Sequence, residues 1–279
     1  VVGDDDQSIY GWRGAKIENI QRFQLDYPNA TSYRLEQNYR STGTILDAAN
    51  ALIEHNTDRL GKALWTDLGR GDPVSLYAAY NEIDEARYIV ERIKNFFAEG
   101  NAYRDCAILY RSNAQSRVLE EAMLRSQLPY RIYGGQRFFE RAEIRSALAY
   151  LKLLSQRHSD AAFERVVNLP PRGIGDKSIQ IIRDAARSTN QSLWTAALNL
   201  TTKGGLTPRA SSAVSGFLNL IDDLDVATEN LDLAHLIEET IDASGLKAFY
   251  EKEGGEKGQA RLENLEELVT AGQTFDPDD

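Results

Sequence analysis

An α/β fold with a parallel sheet, joined to an all-α unit, is the architecture that the 279-residue sequence predicts. Three observations lead there. Strand-like and helix-like patterns alternate through the first half of the chain. After Gly134-Gly135 the strand patterns stop, and only helix and turn signals follow. Hydrophobic residues make up 42% of the sequence, enough to fill a sizeable core at a length that suits about two domains.

The chain opens on the apolar run Val1-Val2-Gly3, the pattern of a strand's tail, so it reads as a segment of a longer protein. Further strands are predicted at 31–35, 74–79, 106–110 and 130–133. Helices are predicted between them at 42–55, 82–98 and 113–126. Ser112 stands where its hydroxyl can cap the last of these by accepting a first-turn amide. The order β-α-β-α-β is that of a parallel sheet with covering helices. Beyond a boundary near Gly134, helices are predicted at 142–155, 160–168, 176–188, 192–200, 208–228, 233–244 and 258–271. The acidic end, Asp276-Pro277-Asp278-Asp279, reads as a frayed tail.

Net charge is −10, which on its own argues against a nucleic-acid binder. Its distribution changes that. Residues 220–279 hold 17 acidic and 4 basic side chains, leaving 28 basic and 25 acidic ones in residues 1–219. Seven arginines fall between Arg111 and Arg145, so the middle of the chain can face phosphates. Any one of them is equally at home on a solvated helix face. The single cysteine, Cys106, excludes a disulfide framework and fits a reducing cytoplasm. No run approaches the ~18 apolar residues of a membrane span. Three histidines and one cysteine give no metal-ligand spacing.

The segment Val1-Val2-Gly3-Asp4-Asp5-Asp6-Gln7-Ser8-Ile9-Tyr10-Gly11-Trp12-Arg13-Gly14-Ala15 carries the most chemistry. A carboxamide at a strand end, Gln7, can hydrogen-bond a phosphate or a water. Tyr10 and Trp12, set among glycines beside Arg13, can offer flat faces to bases. The bland alternative makes the two aromatics core residues and the three aspartates a solvated turn. Further along stand Leu35-Glu36-Gln37-Asn38-Tyr39-Arg40-Ser41-Thr42, Leu109-Tyr110-Arg111-Ser112-Asn113-Ala114-Gln115-Ser116-Arg117 and Tyr130-Arg131-Ile132-Tyr133-Gly134-Gly135-Gln136-Arg137-Phe138-Phe139-Glu140-Arg141. Arg172-Gly173-Ile174-Gly175-Asp176-Lys177 and Glu256-Lys257-Gly258-Gln259-Ala260-Arg261-Leu262-Glu263-Asn264-Leu265-Glu266-Glu267-Leu268 follow. In identity, order and spacing these motifs resemble those of the UvrD/PcrA/Rep group of superfamily-one DNA helicases, over essentially the whole chain.

The resemblance implies RecA-like motor domains: residues 1–36 as the tail of a first, 37–133 as the leading half of a second, and 134–279 as a helical insert. It implies that Gln7 senses the γ-phosphate of ATP and that Arg40 contacts it, the two catalytic assignments. A guanidinium suits that role, being always charged and able to stabilise the charge of phosphoryl transfer. Tyr39 is implied to stack on the adenine, and Tyr10 and Trp12 on single-stranded bases with Arg13 beside them. Arg111, Asn113 and Arg137 are implied to hold single-stranded DNA; for Arg111 the alternative is an interdomain ion pair. Arg172, Gly173, Ile174, Gly175 and Lys177 are implied to meet a duplex backbone, where glycines allow close approach and a helix start offers amides. Read from its residues alone, Gly173-Ile174-Gly175 fits a plain helix-start turn better than a phosphate contact. The implied activity is ATP hydrolysis, with Mg²⁺, coupled to 3′→5′ translocation and duplex unwinding in DNA repair. The implied partners are single-stranded DNA, duplex junctions and repair proteins, in the cytoplasm.

The sequence holds no Gly-x-x-x-x-Gly-Lys-Ser/Thr phosphate loop. Gly175-Asp176-Lys177-Ser178 lacks the earlier glycine. The acidic pair that would hold Mg²⁺ is also missing, since Asp4, Asp5 and Asp6 belong to the glutamine motif. The chain alone is therefore expected not to hydrolyse ATP. Two other classes compete: a non-catalytic DNA-binding module, and a metal-dependent nuclease on Asp4, Asp5 and Asp6. The second lacks the Glu/Asp-x-Lys companion of such sites, and a phosphate loop encoded upstream of Val1 would separate the motor from the module.

Overall fold

The structure is a computed structural model that describes residues 2–7, 16, 18–56, 59–133 and 135–275. It divides into two compact units, Val1–Ala78 and Ala79–Asp279.

In the first unit a 3-10 turn, Asp5–Gln7, precedes three helices: α1 (Glu18–Gln21), α2 (Phe23–Asp26) and α3 (Gly43–Ile53). The helix predicted at 42–55 forms as α3. Its first amides find main-chain acceptors: Gly43 N–H donates to Gly69 O at 2.7 Å and Thr44 N–H to Arg70 O at 2.9 Å. Gly71 makes this close approach possible. It has φ +70°, and a Cβ there would lie 2.4 Å from Thr42 Oγ1.

No β-strand forms among the described residues, so the predicted parallel-sheet, RecA-like architecture is not the observed fold. One isolated parallel bridge joins Gln37 and Trp65. The segments expected as strands, 31–35, 74–79, 106–110 and 130–133, lack helix and lie open, with Leu76 96% and Leu109 93% exposed. The strand pattern reports a local preference and an apolar face, whereas a ladder needs a second segment ~4.8 Å alongside. For 106–110 and 130–133 the apolar face is met by helices instead. Ile108 and Tyr130 pack on the cluster of Val90, Met123 and Leu128.

The second unit begins with α4 (Glu82–Ala98), whose first turn is capped by Asn81 Oδ1 accepting from Asp84 N–H at 2.8 Å. A 3-10 turn, Asn113–Gln115, leads into α5 (Ser116–Arg125), and α4 and α5 close over the small cluster just named. The larger core belongs to α6 (Ala142–Ser155), α7 (Asp160–Val166), α8 (Asp176–Thr189), α9 (Leu193–Lys203) and α10 (Pro208–Thr228). It is completed by α11 (Leu233–Ala243), α12 (Leu246–Glu253) and α13 (Gly255–Gln273). Phe163 stands edge-on to Phe217 at 5.6 Å and to Trp194 at 6.4 Å, the arrangement that ring quadrupoles favour.

Helices carry the predictions well here because most show an apolar stripe and several a side-chain cap. Ser192, Thr207 and Asp232 cap α9, α10 and α11 with their side-chain oxygens. The exception is α12, which the sequence reading leaves as a connection. It spans eight residues between Gly245 and Gly254, at φ +79° and +63°, too short for a readable period. Among the described residues, no helix is long and apolar enough to cross a membrane.

Candidate nucleotide and nucleic-acid sites

In the first unit, Gln7 ends the Asp5–Gln7 turn with its side chain exposed, donating Nε2–H to Asp4 Oδ2 at 2.6 Å. The aspartates beside it are occupied by the protein's own cations. Arg59 grips Asp6 with two bonds, at 2.9 and 2.7 Å, Lys62 pairs with Asp4, and Leu60 N–H donates to Asp5 Oδ2 at 2.7 Å. Burial raises the Asp4 pKa, but the bonds from Lys62 and Gln7 outweigh it and hold that carboxyl below its usual range.

Tyr39 and Arg40 stand side by side on a turn fixed by Asn38, whose Oδ1 accepts from the main-chain amides of Arg40 (2.9 Å) and Ser41 (2.8 Å). Tyr39 is 78% exposed, and its hydroxyl donates to Gln37 Oε1 at 2.9 Å. The Arg40 guanidinium is exposed and has no side-chain partner among the described residues. No bond joins Gln7 to Tyr39 or Arg40. Both lie against one stretch of chain instead. Residues 59–62 bind the aspartates, and Trp65 pairs with Glu36 and Asn38, its N–H donating to Glu36 O at 3.1 Å and its carbonyl accepting from Asn38 N–H at 2.7 Å. Arg59, Lys62 and Trp65 carry no recognisable sequence pattern, and their role shows only in three dimensions. Tyr10, Trp12 and Arg13 lie outside the described residues.

In the second unit, Arg111 and Asn113 are exposed on either side of Ser112. The turn is locked by a capping box: Ser112 Oγ accepts from Ala114 N–H at 3.4 Å, and Gln115 Oε1 accepts from the amides of Arg111 and Ser112, both at 2.9 Å. The cap expected of Ser112 is therefore present, one turn ahead of α5. Arg137 is exposed, its guanidinium 5.2 Å from the centre of the Tyr130 ring.

Behind these three side chains lies a buried polar network. Glu120 accepts from Ser116 Oγ–H at 2.7 Å, from Tyr130 Oη–H at 3.3 Å and from Phe138 N–H at 3.2 Å. Arg141, 8% exposed, donates to Asn113 O at 3.0 Å, Asn264 Oδ1 at 2.7 Å and Ser116 Oγ at 2.7 Å. Burial pushes the Arg141 pKa down. For Arg117 burial acts the same way, but the carboxylates of Glu267 and Glu121 outweigh it and raise the pKa. Arg117 donates to Glu267 at 2.6 Å and to Glu121 at 2.9 Å. The structure thus joins the segments that carry Asn113 and Arg137. Of the residues that join them, Arg141 and Asn264 fall within the sequence motifs but carry no expected task there, and Glu120 lies outside those motifs.

The 173–177 turn starts α8, with Gly175 as N-cap residue and Gly173 at φ +80°. Asn168 Oδ1 holds it by accepting from Arg172 N–H at 2.7 Å and Ile174 N–H at 3.2 Å. Gly173, Gly175 and Lys177 face solvent. Ile174 is 0% exposed. The Arg172 guanidinium turns inward, donating to Ser244 O at 2.7 Å and Pro170 O at 3.0 Å and lying over the rings of Tyr150 and Phe217. Arg172 and Ile174 build the turn; the two glycines and Lys177 present it.

Comparison with known proteins agrees with the motif reading. Residues 33–278 match the model of the UvrD-like helicase C-terminal domain, and residues 1–28 match that of the UvrD/REP helicase N-terminal domain. The chain is 59% identical over 275 residues to DNA helicase II of Escherichia coli strain K12, covering 99% of this chain and 38% of that protein. It is 58% identical over 279 residues to DNA helicase II of Salmonella typhimurium, covering 100% of this chain and 39% of the relative. The ATP-dependent DNA helicase PcrA of Leuconostoc citreum is 44% identical over 277 residues, covering 99% and 37%. The chain thus spans 37–39% of the length of these curated relatives.

Proposed function

Because the chain belongs to the UvrD-like helicase family, we propose that it is the strand-gripping and γ-phosphate-sensing part of an ATP-dependent DNA helicase that moves 3′→5′ and serves DNA repair. The observation that carries this reading is the Asn38 turn, which holds Tyr39 and Arg40 exposed side by side, the Arg40 guanidinium without a side-chain partner among the described residues. An exposed phenol ring fits an adenine face, and an unpaired guanidinium fits phosphate oxygens. Gln7, exposed at the other end of the shared 59–65 stretch, fits an attacking water or a terminal phosphate.

The donor set fits ATP but not its metal. The Asp4, Asp5 and Asp6 carboxylates are taken by Arg59, Lys62 and Leu60 N–H, so Mg²⁺ would need ligands from elsewhere. The same pairings weigh against the nuclease alternative, although the Asp4, Asp5 and Asp6 oxygens lie within 4.8 Å of one another. Bound ATP supplies the free energy of phosphoryl transfer; the residues here orient its ends.

Arg111, Asn113 and Arg137 would hold single-stranded DNA, with Tyr10, Trp12 and Arg13 as further contacts. Gly173, Gly175 and Lys177 would touch a duplex backbone without reading bases. Single strands and duplex junctions are the proposed partners, together with repair proteins.

The test is Arg40→Ala in a helicase polypeptide that carries this segment together with a phosphate-binding loop. ATP turnover should fall by ~10³-fold or more, as for other arginines that stabilise phosphoryl transfer. Affinity for oligo-dT should stay near wild type. A variant that keeps more than about a tenth of its turnover would remove Arg40 from the catalytic set.

A further inference from the structure

We propose that helix α13 is a positioning element for the single-strand grip, with Glu263 and Asn264 acting on the 111–113 turn through Ser112 and Arg141. The proposal rests on the reading that Arg111 and Asn113 contact the strand.

Sequence places α13 some 150 residues beyond the turn, yet two adjacent residues of α13 reach it. Glu263 Oε2 accepts from Ser112 Oγ–H at 2.7 Å. Ser112 Oγ also accepts from Ala114 N–H, so one hydroxyl closes the capping box and ties it to α13. Asn264 is 4% exposed and uses both ends of its amide: Oδ1 accepts from Arg141, and Nδ2–H donates to Glu143 Oε1 at 2.6 Å. Arg141 then donates to Asn113 O at 3.0 Å, fixing the main chain of the residue whose side chain faces outward.

Arg141 makes no ion pair among the described residues, and neutral acceptors satisfy its buried charge. Removing one acceptor leaves a buried cation short of a partner, so the arrangement tolerates little drift. A capping box alone holds a three-residue turn loosely. Two ties from a 19-residue helix hold it in one pose, which lowers the entropy lost when a strand binds.

The opposing view treats Glu263 as a surface charge. The two views differ in sign. Removing a carboxylate near DNA raises affinity if only charge matters. Glu263→Ala and Glu263→Gln remove the same charge, but only glutamine keeps an oxygen that can accept from Ser112. Oligo-dT affinity of the 279-residue chain is measured at matched salt, alongside thermal melting. The expected result is about fivefold weaker binding for Glu263→Ala, with Glu263→Gln near wild type. In a Ser112→Ala background, Glu263→Ala should cause no further loss, even if each variant alone melts earlier. Equal affinities for the alanine and glutamine variants, or a full loss from Glu263→Ala in the Ser112→Ala background, would overturn the proposal. Asn113→Ala in the same assay separates the premise: unchanged binding there sinks the grip and the positioning with it. A loss there without one in Glu263→Ala sinks the positioning alone.

Discussion

Tyr150 is fully buried, and its hydroxyl donates to Leu169 O at 2.5 Å, just ahead of the 173–177 turn. Burial pushes its pKa up to about 12, from an ordinary value of 10. In the unfolded chain the phenol ionises near pH 10; in the folded one it stays neutral. The stabilisation is therefore whole below pH 10 and is lost as pH rises from 10 to about 12. Tyr150→Phe should cost about 1–3 kcal/mol at pH 8, because Leu169 O loses its donor. The gap between wild type and variant in urea unfolding should shrink at pH 11, and a constant gap would contradict the assignment. Single residues were unevenly legible. Ser112 could be read as a cap because the amide that donates to it, Ala114 N–H, is two residues away. The inward turn of Arg172 could not, because it depends on Ser244 O, 72 positions along the chain. The pairing of Glu263 with Ser112 was hidden for the same reason.

At the scale of elements, helices were legible and strands were not, for a common physical cause. A helix closes its hydrogen bonds within itself, so a 3.6-residue stripe, joined in α4 and α10 by a cap, suffices to find α4, α6 or α10. An extended segment closes them with a distant partner that a local pattern does not specify, and among the described residues only Gln37 and Trp65 pair. The start of α8 was half legible: two glycines before a helix could be seen, but not which neighbours face outward. The structure separates their roles. Gly173 sits at φ +80°, so any side chain there strains the turn itself. Gly175 has ordinary φ, −80°, and open space where a Cβ would lie. Gly175→Val is thus the clean probe of contact. Its melting temperature should fall only by the small cost of a poorer N-cap residue, while affinity for a short duplex falls about tenfold and affinity for oligo-dT holds. Loss of both affinities together would make the turn structural only.

At the scale of the whole molecule, burial is distributed very unequally. Among the described residues of Val1–Ala78, only Asp5 and Leu46 are buried, and Leu25, Tyr33, Leu35 and Leu76 stand open. Ala79–Asp279 holds every other buried side chain, from Ala86 to Leu268. Apolar burial contributes roughly 25 cal/mol per Å² and is the main term opposing chain entropy. The first unit instead relies on exposed pairs such as Arg70–Asp47 on α3, which screening weakens, and on main-chain bonds around α3. Local opening should follow this division, since amides exchange through openings whose free energy rises with buried contact. In hydrogen exchange at neutral pH, α3 amides should exchange at least about a hundredfold faster than those of α6, α7 and α10. Raising salt from 0.1 to 1 M should speed α3 further, because the Debye length falls from about 10 to about 3 Å. The α6, α7 and α10 amides should respond less, because buried apolar contacts hold these helices and the exposed Arg157–Asp225 and Arg183–Glu164 pairs add little. Similar protection across both units, or a salt response in α10 equal to that in α3, would mean that buried apolar area does not decide which part of this chain holds firm.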